Sequence, residues 1–305
     1  MSSTRTREQT PRVWSASLTS LDLGDLTVAF LPDGVHHVEA PTHYPDAPEG
    51  IWDEHPEVID DDGLLVMSVG AFLIRTGEHN VLVDLGFGPN KVDVTALTNG
   101  QFRGDLIGGA LLESLSAVGV EPADVHGIVF SHLHLDHVGW VINPDRPDEP
   151  TFPNARYFMG TAELDYWSTE TDPAERVKGA TDDQIAMMRR SLELVDSETE
   201  IFPGVVVVPT PGHTWGHVSV LASGTDGKAL VIGDALHCPV ELQHHGMSFV
   251  FDQDSAMAHE SRAKINEILQ GDNVYFAGGH FPDRVFGTLD AGDDSHVHGL
   301  VYVEH

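Results

Sequence analysis

A chain of 305 residues can bury a sizeable core, and its 41% hydrophobic and 8% aromatic content is that of a globular protein rather than a disordered or fibrous one. With 48 Asp and Glu against 16 Lys and Arg the formal net charge is −32, which repels phosphate backbones and anionic headgroups and argues against nucleic-acid and membrane partners, leaving a small-molecule substrate. No apolar run approaches the ~18 residues of a membrane span, the N-terminus lacks a secretory signal's apolar stretch, and Cys238 is the lone cysteine, so the expected compartment is the cytoplasm.

In chain order, residues 1–65 carry Pro- and Gly-rich breaks, among them PDGVHH at 32–37 and an acidic turn at Asp60–Asp62, with one candidate strand at Leu26–Leu31. They are expected to form an N-terminal extension packed on a catalytic domain spanning 66–305. From Met67 the pattern becomes regular. MSVGAFLIRT (67–76) and NVLVDLG (80–86) predict a hairpin of buried strands. Apolar positions at helical spacing over 106–119, closed by Gly119, predict a helix, and GIVFSH (127–132) a short buried strand. ARYFMG (155–160) is a further strand, Thr161 a candidate N-cap, and DQIAMMRRSLELV (183–195) an amphipathic helix. VVVVP (205–209), HVSVLAS (217–223), KALVIGD (228–234) and VYFAGG (274–279) are expected strands, with a helix over 255–270. Two blocks of strands, each trailed by helices, suggest a layered α/β protein with two sheets face to face.

Histidine is the outlier: 19 are present, and they cluster. SHLHLDHVGW (131–140) puts His132, His134, Asp136 and His137 within six residues at the end of a predicted buried strand. Alternate side chains of an extended segment share a face, so the first three project together, and a turn then brings in His137. Imidazole and carboxylate suit zinc and similar divalent ions, and a single thiol excludes a closed Cys-based site. Ligands this dense do not fit one tetrahedral ion; two ions sharing the loop need more. Other strand ends supply them: His213 in TPGHTWGH (210–217), Asp234 in VIGDALH (231–237) and His280 in AGGHFPD (277–283), each in the order apolar strand, turn residue, ligand. His36, His37, His43, His244 and His245 carry no such signal and read as surface or loop residues, and Cys238 as a small buried residue rather than a nucleophile.

This constellation resembles the metallo-β-lactamase-fold superfamily, in which a His-x-His-x-Asp-His motif is followed by a His, an Asp and a His; the resemblance covers about residues 65–285. It implies an αββα sandwich of two mixed β-sheets flanked by helices, with a dinuclear site at one edge. Carried over, His132, His134 and His213 hold the first metal, Asp136, His137 and His280 the second, and Asp234 bridges them. Asp84 and His217 match residues that support the ligands. The implied cofactors are two divalent ions, zinc first, with iron, manganese or cobalt as alternatives. Two such ions about 3.5–4 Å apart lower the pKa of a shared water towards ~7. A bridging hydroxide is then the expected nucleophile, with Asp136 orienting it and passing a proton.

His237, three residues after Asp234, is the second candidate catalytic group. Acyl-homoserine lactonases of this fold typically carry tyrosine at that offset, whereas His237 and the FVFDQD segment (249–254) look like the parathion-hydrolase-like branch. Trp140, Phe249, Phe251 and Phe281 are candidates for an apolar substrate-pocket wall, and Arg284 for an anion contact. The expected activity is hydrolysis of a small neutral ester or lactone, extending to phosphotriesters; N-terminal extensions in relatives wall the pocket or form a homodimer contact. The alternatives are thioester hydrolysis of the hydroxyacylglutathione type, which scarce Lys and Arg disfavour, and a mononuclear-iron persulfide dioxygenase.

Overall fold

Nine strands up to Leu194 assemble into one sheet, and seven from Thr199 onward into a second. The computed structural model describes residues 14–244, 246–290 and 299–303, so His245 lies outside the described residues. The first sheet takes β1 (Thr19–Asp22), β2 (Leu26–Val38), β3 (Leu65–Thr76), β4 (His79–Val83), β5 (Lys91–Asp93), β6 (Gly104–Ile107) and β7 (Gly127–Val129). A ribbon of β8 (Ile142–Asn143) and β9 (Arg146–Pro150) follows, and β10 (Arg156–Met159) and β11 (Leu192–Leu194) return to that sheet. The second sheet is β12 (Thr199–Phe202), β13 (Val205–Pro209), β14 (Val218–Ser223), β15 (Lys228–Val231), β16 (Val274–Ala277), β17 (Phe286–Asp290) and β18 (Gly299–Tyr302), in that order.

The facing sides of the sheets share one core, in which Phe30, Phe72, Val83 and Val129 meet Val205, Val207, Val220 and Val231. Leu111, Leu164, Trp167 and Met188, from three helices, cover the outer face of the first sheet, and Ile265 and Leu269 cover that of the second. The architecture is therefore the αββα sandwich that the resemblance implies. Both sheets are mixed: β4, β7, β10 and β11 run parallel, as do β15 and β16, while the other pairings within the two sheets are antiparallel. Parallel neighbours end on the same edge, which brings the loops after β4 and β7, and those after β15 and β16, together. Among the described residues no helix is long and apolar enough to cross a membrane.

Three segments differ from the sequence expectation. PDGVHH is not a loop but the second half of β2, which pairs with β3 from Leu26 to Val38 through a register shift between Pro32 and Gly34. The shift turns the Asp33 carboxylate inward, where it accepts from the Phe87, Gly88, Gly109 and Leu111 N–H groups and from Trp140 Nε1 at 2.7–3.0 Å. The helix expected over 106–119 begins only at Leu111, because Gly104–Ile107 pairs with the far end of β2. The helix expected over 183–195 covers Asp182–Met188 and gives way to β11, whose pairing with β10 outweighs helical periodicity.

Candidate metal centre

Every candidate ligand sits where a strand runs out. His132–His137 follow β7, His213 follows β13, Asp234 follows β15 and His280 follows β16. Backbone bonds lock these ends: within the first sheet Phe130 N donates to Phe158 O, and across the sandwich Val218 N, from the second sheet, donates to Ser131 O, both at 2.9 Å. Two turns tolerate only glycine. Gly233, at φ 62°, would bring a Cβ within 2.6 Å of His217 Nε2, and Gly212, at φ 135°, would drive one to 2.1 Å from Ala258 N.

Two groups of donor atoms result. His132, His134, His213 and Asp234 converge in one, and Asp136, His137 and His280 in the other, each with ligand atoms within 4.8 Å of one another. In the first, His134 Nδ1 lies 2.8 Å from His132 Nε2 and 3.0 Å from His213 Nε2. His134 Nδ1 has one lone pair or one N–H, so it pairs well with only one of the two nitrogens, whereas a cation is met by all three. Asp234 joins the groups. Its Oδ2 is 3.6 Å from both His132 Nε2 and His213 Nε2, and its Oδ1 is 3.2 Å from both His137 Nε2 and His280 Nε2. His137 Nε2 and Asp234 Oδ1 are buried without a hydrogen bond, and buried polar atoms left so call for a partner. The donor set is that of two divalent cations.

The far sides of the rings are tied down. Asp84, held at φ 63°, accepts from Ser131 N and Oγ at 2.8 and 2.7 Å and lies 2.9 Å from His137 Nδ1. Ser131 Oγ in turn contacts His132 Nδ1 at 3.0 Å. His213 Nδ1 faces Asp252 Oδ1 at 3.2 Å, and His280 Nδ1 the Ser68 carbonyl at 2.7 Å. His217 is no ligand: its Nε2 accepts from Asp234 N at 2.9 Å and its Nδ1 lies 2.9 Å from the Thr210 carbonyl. Burial, then the neighbouring His213, pushes its pKa down to about 3, so it stays neutral. Burial likewise holds His132 and His134 well below the usual histidine value. At His280 burial acts downward too, but Asp234 and Asp136 prevail and carry it up to about 8, while Asp234, Asp84 and Asp136 carry His137 well above its usual value. A cation entering the second group therefore displaces protons, whereas His132 and His134 offer free lone pairs.

The remaining candidates divide. His237 is buried, with Nε2 3.3 Å from Asp234 Oδ2 but misaligned for a hydrogen bond, and its ring stacks on Phe249 at 3.6 Å. Phe251 stands beside Phe249, 5.7 Å away. Trp140 and Phe281, expected in the pocket wall, are core residues instead: the indole is anchored on Asp33, and Phe281 packs on Phe276 behind the second sheet. Arg284 lies outside, half exposed, beside Asp283 and over the Tyr302 ring. His43, read as a surface residue, is buried against Phe102, Phe249 and Phe251. His36, read likewise, has a buried Nε2 and feels the charges of Asp136 and His280. Cys238 is buried and its thiol pushed up by that burial, which fits an inert role. Sequence reasoning passed over Ser131, Asp252, Arg262 and Glu163. The last accepts from Leu133 N and Trp167 Nε1, both at 2.8 Å, and from Gly216 N at 3.3 Å, joining two ligand loops.

A family model described as the Metallo-beta-lactamase superfamily matches residues 65–280. An N-acyl homoserine lactonase from a Bacillus species is 28% identical over 220 residues, 70% of this chain and 82% of its own. Among solved structures, AidC, a dizinc quorum-quenching lactonase in complex with a product, superposes with a TM-score of 0.77 at 22% identity, covering 95% of this chain and 98% of its own. The hydrolase AbOPH gives 0.75 at 22% identity, with the same coverage. At such identities the structural likeness speaks for the fold.

Proposed function

The chain belongs to the metallo-beta-lactamase superfamily and is a metal-dependent hydrolase, and we propose that it opens small neutral lactones or esters, with N-acyl homoserine lactones as the leading class. The observation that carries the dinuclear part of this reading is Asp234, one buried carboxylate within 3.2–3.6 Å of nitrogens from both groups: Oδ1 faces His137 and His280, and Oδ2 faces His132, His213 and again His280. In this reading His132, His134 and His213 would hold one divalent ion and Asp136, His137 and His280 the other, with Asp234 shared between the two groups and zinc as the expected metal. Bound there, the two ions supply Lewis-acid polarisation of a carbonyl and acidify water.

The side chains do the rest. Asp136 has the most accessible carboxylate of the two groups, 13% exposed and 3.7–3.8 Å from His280 and His137. It orients the attacking water, takes its proton and passes it to the departing ring oxygen as the acyl C–O bond breaks. His237, whose pKa burial lowers, remains neutral and directs an N–H at the substrate oxygen. Phe249 and Phe251 offer an apolar face to the acyl or aryl portion. The experiment is metal analysis of the purified protein with turnover assays on homoserine lactones, aryl esters, thioesters and phosphotriesters. Two zinc ions per chain with lactone or ester turnover, lost on chelation and restored by zinc, are expected. One iron per chain with oxygen consumption would point to a dioxygenase and end this reading.

A further inference from the structure

The helix Ser255–Leu269 packs behind the site and carries Arg262, the one Arg or Lys buried among the described residues, at 1% exposure. A buried cation is costly unless each of its donors is met, and here the partners all lie on one loop. Nε donates to Ala235 O, Nη1 to Met247 O and Nη2 to Asp252 Oδ2, each at 2.8 Å. Ala235 follows Asp234 directly, and the stretch from there to Asp252 carries His237 and Phe249 with only a short 3₁₀ turn to stiffen it. The other oxygen of Asp252 faces His213 Nδ1 at 3.2 Å. Glu241, whose Oε1 lies 3.7 Å from Arg262 Nη2, uses Oε2 to accept from the N–H groups of His237 and Cys238 at 2.6 and 2.9 Å and from the Tyr44 hydroxyl at 2.9 Å. An apolar side chain of similar size would fill the same space yet leave two carbonyls without donors and Asp252 without its cationic partner, held then by the Phe249 N–H at 3.2 Å and His213.

We propose that Arg262 is a positioning residue that fixes His213 through Asp252 and His237 through the loop, so that one guanidinium sets both the cation affinity of the three-histidine group and the rate of turnover. The inference rests on reading the two groups as metal sites. A planar fork reaches three fixed acceptors at once, which the single ammonium of lysine does not. A carboxylate partner that orients a ligating imidazole is worth about 10–100-fold in metal affinity.

The test is titration of metal-free parent, Arg262→Lys, Asp252→Asn and the double variant with cobalt(II) alone, followed by its absorption and by competition with a chromophoric chelator. Kinetics on a homoserine lactone and melting temperatures are measured alongside. Two cobalt binding steps are expected in the parent. Asp252→Asn and Arg262→Lys should each weaken the same step by about 10–100-fold and leave the other unchanged, and the double variant should be no weaker than the worse single one. Arg262→Lys should also lower kcat below that of Asp252→Asn. Parent-like cobalt affinity in Arg262→Lys, equal weakening of both steps, or losses that multiply in the double variant would overturn the inference. Should Arg262→Lys not fold, Asp252→Asn decides alone, unchanged affinity counting against the proposal. A parent that takes up no cobalt overturns the metal-site reading as well.

Discussion

At the scale of single residues, the site is governed by what stands behind each ligand. His132, His137, His213 and His280 each have one nitrogen towards the cluster and the other held, by Ser131, Asp84, Asp252 and the Ser68 carbonyl respectively. His36 is the counter-example, a site neighbour whose Nε2 is buried and has no hydrogen-bond partner. Burial, opposed by Asp136 and reinforced by His43 and His280, pushes its pKa from 6.5 to about 4. Above pH 6.5 the ring is neutral folded or unfolded and contributes no pH dependence. As the pH falls from 6.5 towards 4, the unfolded chain takes up a proton that the folded chain refuses, and stability declines by ~1.4 kcal/mol per pH unit. Urea unfolding of the metal-free protein at pH 7 and pH 5 should therefore show the wild type losing about 2 kcal/mol more than His36→Gln. Equal losses would remove His36 from the balance.

At the scale of elements, ligands are legible because each is announced by an apolar strand and a turn residue, a local pattern, and the supports Asp84 and His217 are legible through the family resemblance; Asp252 and Ser68 are not, because they arrive from elsewhere. Asp252 meets His213 across 39 positions and Ser68 meets His280 across 212, and no window of sequence contains both. The same reason explains the errors at 106–119 and 183–195, where a distant strand decided the structure of a segment with helical spacing. Trp140 and Phe281 were misplaced because neighbourhood in sequence does not give direction in space: Asp33 and Phe276 claim those rings. The helix Thr161–Thr169 tests how far such long-range anchors matter. Its Glu163 is buried, and removal leaves the Leu133, Trp167 and Gly216 N–H groups without their acceptor. Glu163→Ala should cost about 3 kcal/mol in urea unfolding, and Glu163→Gln, which keeps one acceptor, about half of that. If the alanine variant is as stable as the parent, the helix does not anchor the ligand loops.

At the scale of the whole molecule, two electrostatic regimes meet. The centre gathers nitrogen donors round three carboxylates, Asp84, Asp136 and Asp234, and is shielded from solvent. The chain around it carries a net −32. A field of that sign acts on a substrate before it reaches the site, and acts only on its charge. A neutral lactone diffuses in unopposed, whereas an anionic thioester of the hydroxyacylglutathione type must approach against repulsion that salt relieves, since the screening length shrinks from about 30 Å at 0.01 M to about 10 Å at 0.1 M ionic strength. Raising sodium chloride across that range should leave kcat/KM for a homoserine lactone within about 2-fold and raise it several-fold for the anionic thioester, chiefly through KM. The slope, not the absolute rate, carries the information, because a slow reaction on either substrate still reports whether its approach is opposed. A thioester turned over faster than the lactone at low salt, and without salt dependence, would mean that a local cationic path overrides the acidic surface. In that case the neutral-substrate reading fails even though both groups of metal ligands stand as described.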